Sequence, residues 1–133
     1  MRVLTFMPRF WDQIRDGSKR QTCRQRAGCG PGDELSLRGW SGRPYMTPQV
    51  TLLDPVVCRK VVPVEIAIST AAFVVGIVLD GQVLDGNDAI WFARNDGFDS
   101  RLDMVQFFAA RYPRMVRRGE AFVGEVIYWD VPR

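Results

Sequence analysis

From Val50 onward the chain is dominated by β-branched residues: Val56, Val57, Val61, Val62, Val64, Ile66 and Ile68 follow in close succession. Branching at Cβ stiffens the side chain and suits a pleated sheet better than a helix, so this stretch commits the fold to β structure. Pro55 and Pro63 lie inside it and cannot donate to an interior ladder. The stretch therefore reads as one strand or two, interrupted near both prolines. Phe73 to Leu79 reads as a further strand, and Asp80-Gly81 as a type I′ turn into Gln82 to Leu84. Val3 to Phe6, Glu34 to Arg38 and Phe122 to Trp129 complete the strands. Leu35 and Leu37 alternate there with polar Glu34, Ser36 and Arg38.

Helical spacing is confined to short segments. Phe10, Trp11 and Ile14 place a helix over Pro8 to Asp16, with Gly17 positioned as its left-handed cap. Asp85-Gly86-Asn87-Asp88 opens a second helix, with Asn87 or Asp88 as cap and Ile90, Trp91 and Ala93 on the buried side. Asn95-Asp96-Gly97 breaks it. A third runs from about Ser100 to Arg111 on a stripe of Leu102, Val105, Phe108 and Ala109, and Tyr112-Pro113 stops it. Residues 25–33 and 40–48 are Gly/Pro loops. Many short strands, about three short helices and no βαβ rhythm predict a single α+β domain over residues 1–133, built as a small mixed β-barrel.

Composition narrows the chemistry. The 133 residues are 47% hydrophobic, enough for one core, and their 25% charge is ordinary for a globular chain. There is no histidine, which excludes Ser-His-Asp and Cys-His catalysis and any histidine metal site. Cys23, Cys29 and Cys58 are odd in number and lack CxxC spacing, so neither a disulfide framework nor a zinc site is expected. The N-terminus does not read as a signal peptide, and the longest apolar run, Ala71 to Leu79, is too short for a bilayer. The expectation is a soluble, cytoplasmic protein with no metal, no cofactor and no membrane contact.

Without histidine, a hydroxyl nucleophile needs lysine or a carboxylate as its base. Gly17-Ser18-Lys19-Arg20-Gln21-Thr22-Cys23-Arg24 supplies Lys19 and Thr22, which converge if the segment turns. Neighbouring cations Arg15, Arg20 and Arg24 would lower the Lys19 pKa. Asp96, at the break between two helices, is the strongest carboxylate candidate; Asp33 and Glu65 are weaker ones. Spacing alone favours the plainer reading, with Lys19 a solvated cation, Thr22 a strand residue and Asp96 a turn former.

The net charge of +3 is unevenly spread. Arg9, Arg15, Lys19, Arg20, Arg24 and Arg26 crowd the first segment and flank the candidate pocket, which points to a phosphate-bearing partner. Arg111, Arg114, Arg117 and Arg118 form a second cluster that reads as a solvated face. Among the aromatics, Trp11, Trp91 and Trp129 are divided between core and surface roles. Trp40 and Tyr45, in a Gly/Pro loop, are the better candidates for stacking on bases.

Gly17-x-Lys19-x-x-Thr22-x-Arg24, then Pro31-Gly32-Asp33-Glu34-Leu35, resembles the opening signature of the ASCH domain, a PUA-like barrel family. Phe92-Ala93-x-x-Asp96-Gly97-Phe98, a helix ending in Tyr112-Pro113 and the strand Phe122 to Trp129 resemble its second half, so the likeness spans nearly the whole chain. It implies a PUA-like barrel with a cleft that binds RNA or a modified nucleoside. One bacterial branch of the family hydrolyses N4-acetylcytidine with a lysine, a threonine and a glutamate. Lys19 and Thr22 match the first two; Asp96 falls on the acidic position, one methylene shorter. The stretch Trp40 to Pro55 is longer than in those compact amidohydrolases. The resemblance implies the catalytic set Lys19, Thr22 and Asp96; charge and loop placement make Arg20, Arg24, Trp40 and Tyr45 the candidate ligand contacts. The alternatives are a non-catalytic RNA-binding module, or a ribonuclease using the same cleft.

Overall fold

In the computed structural model, which describes residues 1–69 and 74–130, the β-branched stretch forms a single strand. This strand, β5 (Val56–Ser69), is the spine of the molecule. β8 (Phe122–Trp129) lies along it antiparallel from Cys58 to Ile66, with one irregularity between Cys58 and Lys60. β6 (Val74–Leu79) pairs with its second half and continues through Asp80-Gly81 into β7 (Gln82–Val83). Both turn residues have positive φ, 51° and 81°, as a type I′ hairpin requires.

Pro55 precedes β5, but Pro63 lies within it and does not interrupt it. In a strand, the N–H and C=O of one residue point to the same edge. The Pro63 carbonyl accepts from Asp80 N at 2.9 Å, so its missing N–H faces the tip of the β6–β7 hairpin and removes no bond to β8. The sequence expectation for Phe73 lies outside the described residues.

The other strands continue from the start of β5. β3 (Glu34–Trp40) pairs with Val56 and Val57, takes β1 (Arg2–Thr5) parallel, and pairs antiparallel with β4 (Gln49–Thr51). β2 (Gln21–Arg24) pairs antiparallel with β8. The path β1-β3-β5-β8-β2 thus ends on β1 and β2, and among the described residues this eight-stranded sheet does not close. The architecture is α+β with an open sheet. Ser36, expected on a solvated face, is buried on β3, and its hydroxyl accepts from Arg38 Nε at 2.9 Å.

Among the described residues four α-helices accompany the sheet: α1 (Trp11–Asp16, after a 3-10 turn at Pro8–Phe10), α2 (Gly86–Asn95), α3 (Arg101–Arg111) and α4 (Pro113–Arg117). Gly17 ends α1 at φ 84°. The cap of α2 is Asp85, whose carboxylate accepts from Asp88 N, rather than Asn87 or Asp88. The buried positions of that helix are Ala89, Phe92 and Ala93; Trp91 is 61% exposed, because it lies off the i, i+3, i+4 stripe. In α3 the inner face is Met104, Val105 and Phe108, while Leu102 is exposed. Tyr112-Pro113 does stop α3. Proline is also well suited to a first helical position, and so begins α4. Among the described residues no helix is long and apolar enough to cross a membrane.

Candidate functional site

A cleft of about 930 Å³ opens between the edges of β1 and β2, with Thr5 and Phe6 on one side and Thr22, Cys23 and Arg24 of β2 on the other. Local folding explains why Lys19 points into it. After the Gly17 cap, Lys19 N donates to Gln13 O (3.0 Å) and Arg20 N to Asn95 O (2.8 Å), tying the segment between α1 and the end of α2. Lys19 precedes β2, so strand alternation does not separate it from Thr22, and both line the cleft. Asp96 follows α2 and continues its buried stripe, seven positions after Ala89 and three after Ala93.

Lys19 and Asp96 meet as a buried ion pair, Nζ to Oδ1 at 3.4 Å, with side chains 2% and 5% exposed. The ammonium also donates to Gln21 O at 2.8 Å and to Asp96 O, so all three of its hydrogens have acceptors. It sits over the Phe10 ring at 4.7 Å and near Phe6 at 5.6 Å. Carbonyls at a helix C-terminus favour a cation, and Asp96 O at the end of α2 is one of the three acceptors. Gly97, at φ 95°, makes the approach possible: a side chain there would meet Phe10 and the Lys19 stem.

Burial disfavours charge on both partners. It pushes the Asp96 carboxyl up to about 6, although Lys19 and Arg24 pull the other way. It lowers the Lys19 ammonium, with the Asp96 charge opposing the fall. Arg24 is half-buried, donates to Thr5 O at 2.8 Å, and lies 5.0 Å from the Phe6 ring centre. Its guanidinium thus bridges β2 to β1, which no ladder joins among the described residues. Cys23 also lines the cleft, but burial holds its thiol well above the usual range, which leaves little thiolate for nucleophilic chemistry.

Lys19, Thr22, Asp96, Arg24, Trp40 and Tyr45 therefore share one cleft. Trp40 and Tyr45 pack with ring centres 4.9 Å apart at its rim, Tyr45 being 85% exposed at φ 64°. Arg20 does not join them: it is exposed and its Nε bonds back to Gly17 O. Asp33 and Glu65 are exposed, and neither lines the cleft. Trp11 donates to Phe6 O and packs over Gly39, while Trp129 lies in the core edge-on to Phe6. The sequence reading missed the aromatic wall of Phe10, Phe98, Phe107, Phe108 and Tyr112, and the placement of Arg111 beside it. The apolar period of α3 was visible, but not which face would turn toward a cleft.

No family model, no curated protein and no solved structure matches this chain, so the site stands on its own geometry.

Proposed function

We propose that this cleft binds a cytidine-like nucleoside, free or as an exposed base of an RNA, and hydrolyses the amide of its N4-acyl group. The observation that carries the reading is the buried Lys19–Asp96 pair lining one aromatic, arginine-flanked cleft together with Thr22. Burial brings the ammonium–carboxylate and amine–acid forms of that pair closer in energy. In the amine–acid form Lys19 accepts the Thr22 hydroxyl proton as the oxygen attacks the acyl carbon. Asp96 gives its proton to the departing N4 amine, leaving cytidine and an acyl ester on Thr22. Water then attacks the ester, giving its proton to Asp96, while Lys19 returns its proton to the Thr22 oxygen. The free acid leaves and both partners regain their starting forms.

The same reading takes the architecture as PUA-like, with Arg24 spanning the open seam between β1 and β2 in place of a backbone ladder. The test is incubation of the purified chain with N4-acetylcytidine, with chromatographic detection of cytidine. Thr22→Val is expected to lower release by about 100-fold or more. No release from the wild type, or undiminished release from Thr22→Val, overturns hydrolysis.

One observation favours a second reading, a non-catalytic module: every hydrogen of the Lys19 ammonium already has an acceptor, as suits a fixed cation. That reading expects saturable, salt-sensitive RNA binding with no turnover.

A further inference from the structure

The cleft does not end at its own walls. Arg111, the last residue of α3, lines it and lies 5.8 Å from the Tyr112 ring centre. The chain then turns at Tyr112 (φ −126°, ψ 60°) into α4, which carries Arg114 and Arg117, with Arg118 as its C-cap. All four arginines are exposed, and residues 111–118 contain no acidic residue. Among the described residues the ion pairs are Arg9–Asp103 and Lys19–Asp96, and neither involves this group. Arg117 and Arg118 lie three and four positions after Arg114, on one face, with Cβ atoms about 5–6 Å apart. Arg111 lies in the last turn of α3, and Arg114 and Arg117 in that of α4, where the helix dipole favours a cation; together with Arg118 they carry positive charge from the cleft along the corner.

Resting on the reading above, we infer that the natural ligand is a single-stranded polynucleotide. One nucleotide enters the cleft, and the following phosphates run over Arg111 onto Arg114, Arg117 and Arg118. Three features favour this ligand. The volume of about 930 Å³ lies near the top of the range for drug-sized ligands, more than a lone nucleoside fills. Guanidinium forks match phosphate oxygens better than other cations do. Finally, the apolar residues of α4, Met115 and Val116, are half-buried rather than presented outward, with Met115 packed on the core, so the face offers no wedge for a lipid surface.

Fluorescence anisotropy with a short end-labelled single-stranded RNA, and with the matching DNA, tests the inference between about 50 and 200 mM salt. The Arg114→Gln, Arg117→Gln, Arg118→Gln triple variant is expected to bind about tenfold or more weakly at low salt. Its slope of log affinity against log salt should be shallower by about 2–3. Arg117→Gln alone should lower the slope by about 1, and circular dichroism of both variants should match the wild type. DNA bound as well as RNA makes the row a general phosphodiester track; a preference for RNA adds recognition of the sugar, and either supports it. Unchanged affinity and slope overturn the inference, as does a wild type that binds neither strand. Capture by phosphatidylserine vesicles that the triple variant abolishes, with no strand binding, overturns it in favour of a membrane face. Cleavage of free N4-acetylcytidine by the wild type is read separately: turnover without strand binding removes this inference and leaves the cleft reading standing.

Discussion

The cleft floor and the corner between α3 and α4 are both rich in cations, yet they obey different physics. Lys19 is 2% exposed, holds three acceptors and faces a carboxylate that shares its burial. The corner arginines face water and have no acidic partner among the described residues. Removing solvent turns a charge into a structural and titrating element; leaving it in solvent keeps the charge available for a partner. Arg24 stands between the two, half-buried and bonded to Thr5 O.

Substitutions along this gradient should fall in order of burial. Lys19→Met leaves Asp96 buried and unpaired and should cost about 3–5 kcal/mol in urea unfolding. The double variant Lys19→Met, Asp96→Leu should recover most of that loss, because it removes both charges. A Lys19→Met protein as stable as the wild type would place the pair in water instead. Arg24→Met keeps the apolar stem but removes a charged donor from Thr5 O, and should cost about 1.5–3 kcal/mol in the same assay.

The next largest effect is on pH dependence. With Asp96 raised to about 6, the pair holds two protons below that value and one above it. The proposed chemistry needs the single-proton pair. kcat/KM for N4-acetylcytidine should therefore fall about tenfold per pH unit as the pH drops below about 6, one pKa unit being one decade. At the upper end, the fall begins when Lys19 loses the remaining proton, at a pH lowered from the ordinary lysine range. An acid limb centred near 4 would remove the burial argument. Smallest of all, Arg117→Ala should change stability by less than about 0.5 kcal/mol, since it is exposed and pairs with no carboxylate; a larger loss would give the corner a structural role.

Much of the frame was legible locally. Gly17 as a left-handed cap, the Asp80-Gly81 turn, the strand of Glu34 to Arg38 and the closing strand each follow from residue types a few positions apart. Errors came where a distant partner decides. Pro63 was tolerated because a hairpin tip, not a ladder, lies opposite its ring nitrogen. Trp91 points outward because the core lies one position round the helix. Arg20 and Lys19 are adjacent cations, and only the path between α1 and α2 sends one inward and the other to solvent.

By itself, the sequence excluded histidine chemistry, set a β-rich α+β chain, and marked Lys19, Thr22, Arg24 and Asp96 as its polar candidates. These are properties of composition and short-range spacing, which survive in any conformation. Tertiary structure alone decided that Lys19 and Asp96, 77 positions apart, lose their water together, and that the sheet stays open where Arg24 reaches Thr5. Burial and long-range pairing depend on which surfaces the folded chain brings into contact, and no local pattern carries that information.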